Sequence, residues 1–145
     1  MIQIRNNIFE TNSSMTHSLV ICSQKNYDDW KNGKAMFKED GESFLPNDEA
    51  RKYNADQLRE TLKWYKEKGH KFNEDILNED TIKSYEEGNL NNDHWGLFPR
   101  YDANSMYITF DQWRDYVSKL GFEYMSKSSN INDIKVIAFG YYGHD

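Results

Sequence analysis

A concentration of reactive side chains lies near the beginning of the sequence. Glu10, Ser13, Ser14, Thr16 and His17 place a carboxylate, three hydroxyls and an imidazole close together in the chain. A hydroxyl beside an imidazole, with a carboxylate nearby, is the side-chain set used in nucleophilic and general-base catalysis. On this hypothesis His17 is the base, one of the hydroxyls is presented to it, and Glu10 orients the imidazole or serves as an acid.

The same segment has two other interpretations. Successive backbone N–H groups in a turn, together with the hydroxyls, can cradle a phosphate, which would make Glu10–His17 a nucleotide- or phosphate-binding site. Alternatively, Asn12 and the serines close turns by bonding to their own backbone, and Glu10 and His17 tie two strand ends together. Because no established catalytic motif has this spacing, the turn interpretation is favoured and no catalytic residue is predicted.

The charge distribution indicates a second candidate site. The chain has 145 residues and a formal net charge of −6, from 18 Lys and Arg against 24 Asp and Glu. Residues 73–95 hold one Lys and seven acids, a net of −6, so this stretch accounts for the whole excess. A concentrated negative surface steers a basic partner, and direct binding of DNA or RNA is disfavoured because no basic footprint stands out. A solvated face that only aids solubility is the alternative.

Aromatic residues follow the acidic stretch in a predicted loop over residues 89–104. Trp and Tyr are enriched at interface hot spots, although packing under a long loop would also explain Trp95 and Phe98. The leading hypothesis is a protein-binding module in which the aromatic side chains anchor a partner with a basic surface, of the kind that normally holds nucleic acid. The predicted partner-binding residues are Glu74, Asp75, Glu79, Asp80, Glu86, Glu87, Trp95, Phe98 and Tyr101.

Metal ions, cofactors and a membrane span are not predicted. The four histidines are scattered without a metal-ligand spacing, and the sequence contains no calcium loop or glycine-rich phosphate loop. Cys22 is the only cysteine, so no internal disulfide can form, and its apolar neighbours predict a buried side chain. No apolar stretch approaches the roughly 18 residues of a membrane span, and no signal-peptide core follows Met1, so a cytoplasmic protein is expected.

The elements that must position these residues are short strands and helices in mixed order. The predicted strands are 2–9, 18–22, 105–109, 122–125 and 134–142, with a hairpin at 34–45 around Asp40-Gly41. The predicted helices are 24–32, capped by Ser23; a long helix capped by Asn47 or Asn54 and ending before Gly69; 80–87; and 110–120. Residues 134–139 form the most apolar strand and are expected at the centre of the sheet. The pattern predicts a single α+β domain, with a mostly antiparallel sheet and helices packed on one side.

The opening string from Arg5 to Ser18 resembles a recurrent start of uncharacterised phage and low-GC bacterial proteins. In that family Arg-Asn-x-(Val/Ile)-Phe-Glu-Thr-Asn-Ser-Ser-Ser-Thr-His-Ser precedes varied bodies, and the similarity covers about 14 of 145 residues. This chain departs at Met15, where the family usually has Ser, so a nucleophile at that position would be lost. The resemblance implies an origin in a phage or mobile element. Small acidic phage proteins are often inhibitors of host machinery, including anti-CRISPR and other anti-defence proteins, so it implies a host protein as partner in the host cytoplasm.

Overall fold

The structure, a computed structural model, describes residues 16–92, 97 and 105–143. The predicted strand at 2–9 and most of the predicted loop at 89–104 lie outside these residues. Within them, four helices and five strands follow one another along the chain. They are β1 (Thr16–Ser23), α1 (Gln24–Lys31), β2 (Ala35–Lys38), β3 (Ser43–Pro46), α2 (Asn47–Lys68), α3 (Glu79–Glu86), α4 (Phe110–Lys119), β4 (Glu123–Ile131) and β5 (Ile134–Tyr142).

The elements belong to two compact units. The first unit combines the two ends of the chain, up to Asn32 and from Phe110 onwards, and the second is the continuous stretch Gly33–Thr109. Each unit contains an antiparallel sheet together with helices. The predicted α+β class and antiparallel pairing are therefore confirmed, while the assignment of a single domain stays a prediction.

The sheet of the first unit has the strand order β1-β5-β4, so β5 lies at its centre, as its apolar sequence predicts. Asn132 and Asp133 join β4 to β5 with φ values of 51° and 67°, the backbone of a two-residue hairpin turn. The predicted strand at 122–125 is too short, because β4 continues to Ile131. Residues 126–130 are mostly polar and exposed, so their sequence shows no strand pattern. They form a strand because they pair with β5.

Aromatic side chains fill the core of the first unit. Trp30 from α1 lies with its ring centroid 5.2 Å from that of Phe139, and Trp113 from α4 lies 5.5 Å from the same ring. All three side chains are almost completely buried. Both helices therefore pack on the face of the sheet that carries Phe139, which confirms the prediction of helices on one side. The predicted cap of α1 is also present, since Ser23 Oγ accepts a hydrogen bond from the backbone N–H of Asn26 at 3.1 Å.

In the second unit, the hairpin of β2 and β3 leads directly into α2. Residues 39–42 connect the two strands, with Gly41 at a φ of 84°, as the Asp40-Gly41 pair predicts. The prediction that Asn47 or Asn54 caps α2 is wrong. Pro46 occupies the cap position, Asn47 donates its side-chain N–H to the carbonyl of Gly33 at 2.6 Å, and Asn54 is buried inside the helix.

The core of the second unit lies between α2 and α3. Leu58 and Leu62 of α2 pack with Ile82 and Tyr85 of α3, and Leu97 belongs to the same buried cluster. The helix predicted at 80–87 is confirmed within one residue, and Asn78 and Thr81 form its capping box.

No helix of the described chain combines the length and the apolar character needed to cross a membrane.

The predicted strand at 105–109 is wrong. Within it, Ile108 alone makes a bridge, donating to and accepting from the backbone of Phe37 at 2.9 and 3.0 Å. The neighbouring residue Tyr107 instead uses its backbone N–H and C=O to bond the side chain of Asn54. A side chain thus replaces a strand partner and prevents the ladder from extending.

Candidate functional site

The predicted catalytic alternative falls largely outside the described residues, which exclude Glu10, Ser13 and Ser14. The backbone of Thr16 and His17 belongs to β1, so these two residues of the predicted turn lie in a strand instead. The strand begins early because β5 extends to Tyr142, which pairs with Thr16. The register shifts between Thr16 and Ser18, which places His17 at an irregularity of the ladder.

The acidic surface is defined by residues of α3, of the segment that precedes it and of its C-terminal cap: Glu74, Asp75, Glu79, Asp80, Glu86 and Glu87. Glu86 is half-buried and the other five residues are exposed. The aromatic residues predicted to act with them, Trp95, Phe98 and Tyr101, lie outside the described residues. The structure therefore describes the charged members of the predicted partner-binding set but not its aromatic members.

Arg59 of α2 holds two members of the acidic surface. Its guanidinium donates to Glu86 Oε1 at 2.9 Å and to Glu79 Oε1 at 3.0 Å, and it also reaches Asp56 Oδ1 at 3.2 Å. The hydrogen bond from Arg59 holds the pKa of Glu86 below its ordinary value, and the same pairing raises the pKa of Arg59. Glu79 and Glu86 thus connect α3 to α2 through their ion pairs with Arg59.

The other four members of the acidic surface, Glu74, Asp75, Asp80 and Glu87, take part in no ion pair among the described residues. Asp80 lies in the first turn of α3 and Glu87 directly after its last residue, so about two helical turns, or about 10 Å, separate them on one side. Lys83 lies on the same face between them and offsets part of their charge. This face presents carboxylates to solvent on a helix whose position is set by packing.

A buried polar network lies behind this surface and was missed by the sequence analysis. Asn54, which has no exposed surface, donates to the carbonyl of Tyr107 at 2.8 Å and to the hydroxyl of Tyr85 at 3.0 Å. The Tyr85 hydroxyl donates in turn to Asn92 Oδ1, and Asn92 donates to the carbonyl of Tyr107 at 3.1 Å. Burial raises the pKa of Tyr85 to about 12, so its hydroxyl keeps its proton. The network joins three segments and satisfies its own groups, as a structural element does.

An aromatic groove runs along the C-terminal half of α2. Gln57, Thr61 and Tyr65 recur at four-residue spacing, as do Glu60 and Trp64, so all five line one side of the helix. His70, Lys71, Ser105 and Met106 complete the lining of a groove of about 690 Å³. This volume falls in the range of roughly 300–1,000 Å³ found for small-molecule sites.

Two stacked rings dominate this groove. The Trp64 indole, 48% exposed, stacks on the imidazole of His70 with centroids 4.7 Å apart and an angle of 16°. The backbone N–H of His70 donates to the carbonyl of Tyr65 at 3.0 Å, and Gly69 turns the chain with a φ of 67°. The end of α2 therefore fixes the imidazole beside the indole. Tyr65 stacks on Phe72 at 5.5 Å and joins the groove to the core.

A local charge reversal surrounds the groove. Residues 63–71 contain four lysines and one glutamate, a net of +3 in a chain of net −6. This feature was missed from the sequence because, over residues 1–72, eleven acids nearly cancel twelve lysines and arginines. A shorter window, in which Lys63, Lys66, Lys68 and Lys71 alternate with Trp64, Tyr65 and His70, carries the signal.

Among the described residues, no three His, Cys, Asp or Glu side chains come together in a way that would hold a metal ion. No protein-family model, curated protein or solved structure matches the chain. The acidic surface and the aromatic groove are the two candidate binding sites among the described residues.

Proposed function

We propose that the protein is a phage-type binding module that inhibits or modulates a host protein, with the acidic surface as its docking face. The observation that carries this proposal is that some carboxylates of the acidic surface are paired within the protein and others are not. Arg59 pairs with Glu79 and Glu86, whereas Asp80 of the same helix and Glu87 directly after it are exposed and take part in no ion pair among the described residues. Glu74 and Asp75 extend this exposed set ahead of α3.

The unpaired carboxylates favour a partner with a basic surface. Residues 74–87 contain six acids, and the four without an ion pair repel one another, so a basic partner relieves this repulsion as it docks. Such complementarity acts chiefly on association rate and specificity. The ion pairs of Arg59 help to hold α3 against α2, so little ordering of the helix is needed on binding, which lowers the cost of association.

The remaining parts of the proposal come from the sequence. Trp95, Phe98 and Tyr101 supply the apolar anchors next to the charged face. The resemblance of Arg5–Ser18 to phage openings supports a host protein as the target and the host cytoplasm as the compartment. A basic surface that normally holds nucleic acid is the favoured target, as in an anti-defence protein such as an anti-CRISPR, because an acidic face competes for the same positive charges.

The test is a set of charge reversals that avoids the carboxylates held by Arg59. In the test variant, Glu74, Asp75, Asp80 and Glu87 are changed to Lys together, and the tagged protein is used to capture partners from host lysate. We expect a captured basic protein to be lost, and duplex DNA added to the wild-type complex to displace it. Retention of the partner by the test variant would contradict the proposed face.

A control variant carries the same number of reversals elsewhere. Asp28, Asp40, Glu67 and Asp115 are exposed acids outside the acidic surface, none of them in the first turn of a helix or at a positive φ, and changing them to Lys alters the net charge equally. We expect this variant to keep the partner. Loss of capture in both variants would show that net charge, and not the acidic surface, governs binding.

The anti-defence part has its own assay. The chain and the test variant are expressed in a bacterial host whose CRISPR system restricts a phage, and plaques are counted. Restored plaque formation with the wild-type chain, but not with the test variant, is the expected result. Unchanged restriction, together with a captured partner unrelated to defence, would leave a binding module with a different host target.

A further inference from the structure

We propose that the aromatic groove binds a nucleoside phosphate, with the base on the Trp64 indole and the phosphate towards Lys71. This inference is independent of the proposed docking face, because the groove and the acidic surface share no residue. It also differs from the phosphate site considered at Glu10–His17, which lies in another part of the chain.

The stacked rings provide the surface for a base. An indole that is 48% exposed and held at 4.7 Å from a parallel imidazole is a fixed aromatic platform. Bases stack on such side chains irrespective of sequence, and substitution of the aromatic residue by Ala weakens binding by about ten-fold or more. The exposed apolar area of Trp64 would be covered by the ligand.

The charge around the groove selects an anion. Lys71 lines the groove and lies beyond the end of α2, next to His70. Lys66 and Lys68 are explained in part by the helix dipole, which favours cations in the last turn, whereas Lys71 lies beyond the helix and within the groove. A neutral aromatic ligand would not account for the net charge of +3 over residues 63–71.

The other end of the groove is suited to the base edge and the sugar. Glu60 lies one helical turn before Trp64, and Gln57 lies nearly one turn before Glu60. A carboxylate accepts hydrogen bonds from hydroxyls and exocyclic amines, and an amide both donates and accepts. Glu60 also repels a phosphate, so the anionic group of the ligand is directed to Lys71. A single phosphate at one end fits this polarity better than a strand with phosphates along the whole groove.

The experiment is calorimetric titration of the whole chain with each of the four ribonucleoside monophosphates, and with adenosine. We expect one nucleotide to bind at one site. Trp64→Ala should lower the affinity for this nucleotide about ten-fold or more, whereas Trp64→Phe should retain most of the affinity because a phenyl ring still stacks. Lys71→Ala is expected to lower the affinity for the nucleotide but not the affinity for the nucleoside. Lys135→Ala, an exposed lysine of the first unit, is the matched control and should change neither.

Three results would overturn the proposal. They are no binding of any of the four nucleotides at millimolar concentration, equal affinity in wild type and in a folded Trp64→Ala variant, and equal effects of Lys71→Ala and Lys135→Ala. A short oligodeoxyadenylate is titrated in parallel. If it binds far more tightly than adenosine monophosphate, with a steep dependence on salt, the occupant is a nucleic-acid strand and the assignment of a mononucleotide is wrong.

Discussion

The side-chain amide of Asn54 pairs with both backbone groups of Tyr107, as a neighbouring strand would. Its Nδ2 donates to the carbonyl oxygen at 2.8 Å, and its Oδ1 accepts from the N–H at 2.8 Å. Because Asn54 is buried in the second turn of α2, the pairing fastens an irregular segment to a helix.

The first prediction concerns Asn54 itself. Asn54→Ala leaves the N–H of Tyr107 buried without its partner and removes a donor from the hydroxyl of Tyr85. Unsatisfied buried groups cost about 1–3 kcal/mol each, so we expect the free energy of unfolding to fall by about 2–4 kcal/mol in urea denaturation. Asn89→Ala, at an exposed asparagine, is the control and should change it by less than about 0.5 kcal/mol. Similar losses in both variants would contradict a structural role for the network.

The second prediction concerns Tyr85 and alkaline pH. Burial raises its pKa to about 12, above the value of about 10 in an unfolded chain. The contribution to stability is therefore complete below about pH 10 and is lost as the pH rises through about 12, by up to about 3 kcal/mol. Tyr85→Phe should be less stable at neutral pH by about 1–2 kcal/mol, yet should lose less on going from pH 10 to 12.

The control for this prediction is Tyr53→Phe, a half-buried tyrosine of the same unit that lies outside the Asn54 network. Urea denaturation at neutral pH and at several values between pH 10 and 12 should show the steep decline in wild type and in Tyr53→Phe. A decline of the same steepness in Tyr85→Phe would show that other groups cause it.

The third prediction separates two adjacent glutamates. Glu86 pairs with Arg59 at 2.9 Å, whereas Glu87 is exposed and has no ion pair among the described residues. Glu86→Gln should lower the free energy of unfolding by about 0.5–1 kcal/mol, and Glu87→Gln should leave it nearly unchanged. High salt should reduce the difference, because the pair is partly exposed.

Acid titration checks the same pair. The pKa of Glu86 is lowered in the folded protein, so its contribution is present above the ordinary pKa of a glutamate and is lost as the pH falls through the lowered value. Wild type should therefore lose more stability below about pH 4.5 than Glu86→Gln does. Equal losses would mean that Arg59 does not stabilise the folded state through Glu86.

The fourth prediction compares two tryptophans. Trp30 has no exposed surface and its ring lies 4.9 Å from that of Phe110 and 5.2 Å from that of Phe139, whereas Trp64 is 48% exposed. Trp30→Ala should cost about 3–5 kcal/mol, and Trp64→Ala less than about 1 kcal/mol, in thermal or urea unfolding. A large loss in Trp64→Ala would give that residue a structural role and would remove the reason to regard its exposure as functional.

Local patterns determined much of the fold. Ser23 before an amphipathic run, Asp40-Gly41 between two short strands, and Gly69 after a long helix each predicted an element boundary that the structure confirms. These signals are reliable because they depend on backbone conformation and capping within a few residues. The apolar run at 134–139 likewise predicted the central strand, and Ile137, Ala138 and Phe139 are buried there.

The errors arose where a distant partner decides the local structure. Residues 105–109 alternate like a strand, but Asn54, more than 50 residues earlier, occupies the backbone groups that a ladder would use. Residues 126–130 are polar and carry no strand pattern, yet β5 lies beside them and pairs with them. In both cases a hydrogen-bonding partner far away in the chain outweighs the intrinsic preference.

For function, the sequence by itself determined that carboxylates concentrate at 73–95 and that aromatic residues follow them. Only the tertiary structure decided which carboxylates are available, because Arg59 of a different helix takes up Glu79 and Glu86 and leaves Asp80 and Glu87 exposed. It also decided that Trp64, His70 and Lys71 meet at one groove, since the turn at Gly69 brings the residues after the helix back beside it. Charge is counted along a chain, but ion pairs and stacked rings depend on distances that folding alone sets.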